Sequence, residues 1–255
     1  MKPAARRVLF CLAAIASFLV FLAPDSFAGN FYVFPTRLDF GSQASTGAIT
    51  VSNKIDEPLN IQVEAVKWTE DASGKDVYSD TKDVIFFPKV ASLNGNEQRL
   101  VRAGVQLPPS TIERTYRLFI GEIPQPKKPG QTRISVAIRF GIPIFVAPAK
   151  ENPAGAIGSL EISKGHLSIL AKNTGNVHFI LKTLQVRGMD PKGQVKFSKD
   201  IPGWYLLAGA SRLYTAPITK AQCLGLSRIE VKAVTDRPDL NFSGSLEMKK
   251  EICGA

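Results

Sequence analysis

The sequence predicts an all-β protein made of two sandwiches joined end to end, and three observations carry that prediction. Short runs rich in β-branched and aromatic residues recur along the chain, separated by turn chemistry at 71–74, Asn94-Gly95, 190–193 and Pro202-Gly203. No long run of helical 3.6-residue periodicity appears beyond the N-terminal apolar stretch. A short segment at 147–155, bearing Pro148 and Pro153, divides the chain like a hinge and is stiff enough to predict a fixed angle between the halves.

The first residues predict a leader. Lys2, Arg6 and Arg7 precede an apolar run over 8–22, and Ser26-Phe27-Ala28 supplies small residues for cleavage after Ala28. The run is short for a membrane span and is followed by Pro24 and Asp25, so no stable membrane insertion is expected. Residues 1–28 are therefore read as a signal peptide, 29–148 as the first domain and 149–255 as the second. The 255 residues include 32 basic and 22 acidic ones, a net charge of +10. Without the leader's Lys2, Arg6, Arg7 and Asp25 the balance is about +8. Such charge suits partner steering, an anionic surface or solubility. No interleaved basic and aromatic platform accompanies it, so no nucleic-acid partner is expected.

Strands of the first domain are predicted at 31–34, 47–52, 61–68, 84–87, 98–105, 115–123 and 132–146. The last two flank a Pro/Gly/Lys loop and read as a hairpin. Within 132–146, Ile134, Val136 and Ile138 alternate with Ser135, Ala137 and Arg139, so one face of the strand is an apolar ladder. Alternation alone admits two roles: the ladder fills the strand's own core, or it is lent to another protein as a spare edge strand. Strands of the second domain are predicted at 158–162, 166–172, 177–186, 194–197, 204–207, 212–217, 228–234 and 240–248. Once Cys11 leaves with the leader, Cys223 and Cys253 remain, and an even pair in an exported chain predicts one disulfide. Closing a loop of about 30 residues stabilises by roughly 3–4 kcal/mol on the chain-entropy model.

Chemistry is sparse. The two histidines, His166 and His178, sit in strand-like contexts and read as packed or surface residues. There is no H-E-x-x-H pattern, no nucleophile elbow, and no lysine in the glycine-bounded segment 41–47. Neither remaining cysteine has a second ligand nearby. No catalytic residue, metal or cofactor is expected, and the chain is not read as an enzyme. Trp68 and Trp204, the two aromatic candidates for stacking on a sugar, are read as core.

Four motifs in order carry a resemblance. They are Phe34-Pro35-Thr36-Arg37-Leu38-Asp39-Phe40, Ile49-Thr50-Val51-Ser52-Asn53, Phe87-Pro88 with Gln98-Arg99-Leu100-Val101-Arg102, and Tyr116-Arg117-Leu118-Phe119-Ile120-Gly121-Glu122-Ile123-Pro124, followed by the strand ending at Pro148. Together they resemble the periplasmic pilus-assembly chaperones of the chaperone–usher pathway, in a divergent branch. The resemblance implies two immunoglobulin-like domains in a boomerang arrangement. It implies a periplasmic chaperone that caps pilus or fimbrial subunits by donor-strand complementation and passes them to an outer-membrane usher. Ile134, Val136 and Ile138 would be the lent side chains, and Arg37 would hold the subunit's C-terminal carboxylate. The family's second anchor, a lysine, is replaced here by Pro143, leaving Arg117 or Arg139 to serve. Glu113 and Asp236 match the acids of the family's interdomain network, whose arginine position is Ala147, with Arg114 or Arg237 as substitutes. The rival reading is a structural immunoglobulin-like surface or pilus protein.

Overall fold

A computed structural model describes residues 31–41, 45–124, 137–249 and 253. The expected signal peptide, and Ile134 and Val136 of the ladder, lie outside the described residues.

The first sandwich uses β1 (Phe31–Phe34), β2 (Leu38–Phe40), β3 (Thr46–Asn53), β4 (Leu59–Glu70), β5 (Asp76–Asp80), β6 (Val84–Phe87), β7 (Val90–Leu93), β8 (Gln98–Val105), β9 (Arg114–Glu122) and β10 (Arg139–Val146). One sheet runs β1-β3-β8-β6; the other runs β2-β10-β9-β4-β5, with β7 also pairing β4. All these pairs are antiparallel except β10 with β2. Alternation decides which side chains go inward. Ile49 and Val51, Val101 and Ala103, Ile61 and Val63, Leu118 and Ile120, and Ile142 and Ile144 form one apolar core between the sheets. Ile138 packs, half-buried, at the edge of that core, in step with Phe140, Ile142 and Ile144.

Three strands have no counterpart in the sequence reading. β2 is three residues long, too short to show a period, and β7 follows Pro88 with its side chains largely exposed. β5, Asp-Val-Tyr-Ser-Asp, is an edge strand without a buried face.

The second sandwich pairs the sheet β11 (Gly155–Ser163), β12 (His166–Asn173) and β16 (Ser211–Pro217) with the sheet β14 (Val195–Pro202), β13 (Phe179–Met189), β17 (Arg228–Thr235) and β18 (Asn241–Glu247). The two-residue β15 (Tyr205–Leu206) also pairs β13. A five-residue helix, α1 (Lys220–Leu224), starts with a reciprocal cap between Thr219 and Gln222. Its Cys223 is bonded to Cys253, with the Cα atoms 5.6 Å apart. Among the described residues no helix is long and apolar enough to cross a membrane.

The sandwiches meet where β4, β9 and β10 lose both faces from solvent. Val66 and Trp68 on β4, Thr115 and Arg117 on β9, and Phe145 on β10 point away from the first core and are buried. Leu207 of the second sandwich joins Trp68 and Phe145 in a separate apolar cluster, with Tyr205 and Ala210 against it. The turn between β4 and β5 completes the joint. Asp71 Oδ1 accepts from Ser73 N, Ser73 Oγ and Lys75 N, and Gly74 takes φ of +79°. A Cβ on Gly74 would lie 2.7 Å from the Arg212 side chain and 2.8 Å from its Cα, so glycine alone meets both demands.

Trp68 is in the core as expected, but Trp204 is 46% exposed, which corrects its reading. In β15, Leu206 takes the inward position and Tyr205 the joint, leaving Trp204 outside with its ring edge-on to Tyr205 at 5.7 Å.

Candidate functional site

The face of sheet β2-β10-β9-β4-β5 turned away from the core carries an ordered row. Pro143 of β10 is paired directly with Arg117 of β9, and β2 runs parallel on the other side, with Leu38 opposite Ile144. Arg37, one residue before β2, therefore flanks Pro143 from one side while Arg117 flanks it from the other. The Arg37 guanidinium lies 4.6 Å from the centre of the Phe145 ring and that of Arg117 lies 3.9 Å from the Trp68 ring. The two rings are 6.0 Å apart. Each stack is worth roughly 0.5–2 kcal/mol, more where water is excluded.

The two cations differ in freedom. Arg37 is tied to the exposed Asp39 at 2.6 Å, a surface pair that contributes at most about 1 kcal/mol. Arg117 is only 8% exposed. It donates from Nη1 to Gly141 O at 3.0 Å, while Asp76 Oδ2 stands 4.0 Å from its Nη2. Its nearest carboxylate therefore stands at the outer limit of an ion pair, too far for a hydrogen bond. Arg139 is elsewhere: four residues along β10 from Pro143, roughly 13 Å at strand rise, it pairs with Glu64 at 2.6 Å and stacks on Phe119.

Behind this row lies a buried couple. Glu113 places its carboxylate oxygens 2.8 and 2.9 Å from His178 Nδ1 and also accepts from His178 N at 2.8 Å. The two side chains are 4% and 3% exposed. The imidazole stacks on Phe145 with centroids 3.5 Å apart. Glu113 thus bridges the sandwiches, with His178 standing where the resemblance led to an arginine. Asp236 Oδ1 accepts from Ile180 N inside the second sandwich. Arg237 donates to His178 O at 3.3 Å and to Glu151 at 3.0 Å. Asn176 Nδ2 adds a further tie through Thr111 O and Lys150 O.

A second bridge escaped the sequence reading. Glu70 of β4, with its side chain 0% exposed, accepts from Arg212 of β16 at 2.6 Å and from Leu207 N at 2.7 Å. Burial pushes the Glu70 carboxyl above its ordinary value, against the pull of the Leu207 N–H and of Arg212. The folded protein therefore binds that proton more tightly than the unfolded chain does. Stability drawn from Glu70 rises as pH falls from the raised value towards the ordinary 4.5, and declines again as pH climbs through that window. Melting curves of the wild type and Glu70→Gln across this range should show the wild type gaining on the variant as pH drops; a constant difference would refute it. Among the described residues no group of three or more His, Cys, Asp or Glu side chains is placed to hold a metal.

Comparison with known proteins fits this layout. Residues 30–152 match the family model described as pili and flagellar-assembly chaperone, PapD N-terminal domain. The matched stretch covers the first sandwich and the segment that follows it, so this half of the chain is similar to the N-terminal domain of that family. No curated protein matches the sequence. Among solved structures, the chaperone of the CsuC–CsuE tip adhesion subunit complex of archaic chaperone-usher Csu pili from Acinetobacter baumannii is similar, at 20% identity and a TM-score of 0.59 over 86% of this chain and 98% of that one. The class 5 fimbriae chaperone CfaA is similar at 14% identity and a TM-score of 0.56, covering 86% and 99%. The SafB chaperone, solved in complex with Salmonella enterica SafA pilin, stands at 16% and 0.51, covering 87% and 98%. At such identities the likeness is one of fold: two immunoglobulin-like β domains, as in the pilus chaperones.

Proposed function

We propose that this protein is a non-enzymatic periplasmic chaperone that caps pilus subunits by lending them a strand and delivers them to an outer-membrane usher. The observation that carries the reading is the pair of guanidiniums flanking Pro143. A carboxylate laid across that row would meet the half-buried Arg37 on one side and the under-neutralised Arg117 on the other, and each can donate parallel hydrogen bonds to it. A proline at the lysine position of the family is thus compensated one strand over, by the residue paired with it. The lent strand would be the extension of β10 that carries Ile134, Val136 and Ile138. Ile138 supports this, because it sits at the edge of the first core with its ladder in step with the core-facing residues. A ladder continuing beyond that edge has apolar side chains to offer a partner.

The test is affinity purification of the tagged protein from its native periplasm beside Arg37→Ala. Wild type should bring down a smaller exported β-rich chain. The variant should recover roughly 10- to 100-fold less, the cost of a lost charge-assisted contact of about 1.5–3 kcal/mol. Recovery of the protein alone or self-associated, in both samples, would favour a structural immunoglobulin-like protein instead.

A further inference from the structure

Asp76 stands between two cations that belong to different tasks. Its Oδ2 lies 4.0 Å from Arg117 Nη2, in the proposed anchor. Its Oδ1 lies 3.7 Å from Arg212 Nη2, in the bridge to the second sandwich. Neither distance is a hydrogen bond. Among the described residues, Asp76 Oδ1, Arg117 Nε and Arg212 Nε are all buried without a hydrogen-bond partner. The carboxylate is held midway by β5, where Asp76 pairs with Glu70, and by Tyr78, whose hydroxyl donates to Oδ2 at 3.2 Å. Glu70 meanwhile engages Arg212 at 2.6 Å. Two acids and two bases thus alternate in a chain, Arg117–Asp76–Arg212–Glu70, running from the anchor into the joint.

We propose that Asp76 is an internal counter-ion that sets the affinity of the anchor for a carboxylate and couples its occupancy to the joint. This rests on Arg117 receiving a carboxylate from the client. An incoming carboxylate at Arg117 repels Asp76 and supplies the negative charge that Asp76 partly provided. Asp76 is then free to close on Arg212, whose second partner is Glu70 across the domain boundary. Binding at the anchor tightens the joint, and by reciprocity a tightened joint favours binding. Replacing Asp76 with a neutral isostere should strengthen anchoring and sever the coupling.

The experiment uses the whole mature protein and two probes, an acetylated Leu-Val-Tyr-Leu tetrapeptide with a free C-terminal carboxylate and the same peptide as its amide. Affinity is read from the fluorescence of tryptophan, since Trp68 lies under Arg117. The joint is read from hydrogen exchange at the Leu207 amide, which donates to Glu70. Wild type should prefer the acid over the amide, and the acid alone should slow Leu207 exchange several-fold. Asp76→Asn should bind the acid about tenfold more tightly than wild type, with no slowing of Leu207 exchange on binding. A preference for the acid with Asp76→Asn behaving as wild type overturns the counter-ion role and leaves the anchor standing. No preference for the acid in either protein overturns both.

Discussion

Glu113→Ala is expected to weaken the joint between the sandwiches by about 3–5 kcal/mol, the usual cost of removing one partner from a buried pair. The size follows from what is left behind. His178 would keep its buried ring on Phe145 but lose the acceptor for both Nδ1 and its backbone N–H. Neither group has water to turn to at 3% exposure. Each sandwich has a core of its own, so the loss should fall on the joint. Calorimetry should show a cooperative transition separating into two, with far-UV circular dichroism at low temperature unchanged. Glu113→Gln, which keeps an acceptor for His178 N, should lose less. A change below about 1 kcal/mol for the alanine variant would mean that the couple does not hold the domains together.

Val136→Asp is expected to abolish subunit capture while the protein stays folded. In the proposed complex the position gives up about 1.5–3 kcal/mol of apolar burial and places an unpaired carboxylate in an apolar groove, costing several kcal/mol more. Affinity should fall at least about a thousandfold. The same substitution in a strand that serves only its own core would unfold the domain instead, so a melting curve taken beside the pull-down separates the two roles. A folded variant that still captures its client would remove Val136 from the lent ladder.

The strands could be read from the sequence wherever apolar side chains alternate against a core, as in β3, β8 and the run of Tyr116, Leu118 and Ile120. β5 could not, because an exposed edge strand owes its pairing to β4 rather than to its own composition. The candidate site divides in the same way. Arg117 entered only as a substitute for the lysine that Pro143 replaces, and its even-numbered neighbours take the core as the period requires. Arg117 and Arg139 were equal candidates until the pairing of β10 with β9 put one opposite Pro143 and the other at the far end. His178, Glu70 and Arg212 were silent for a different reason. Their partners lie 65 and 142 residues away in the chain, and no local pattern records such contacts.

The two faces of β9 and β10 have consequences for how the chain tolerates changes in length. In β9, Tyr116, Leu118 and Ile120 serve the core while Thr115 and Arg117 serve the joint and the candidate anchor. In β10, Ile142 and Ile144 serve the core and Phe145 the joint. Because side chains alternate strictly, one inserted or deleted residue exchanges the two inventories from that point on. Arginine would then enter the oil and isoleucine the ionic row. Insertions in these strands are therefore proof-read twice, once by folding and once by function, and turns are the places where a change of length disturbs neither.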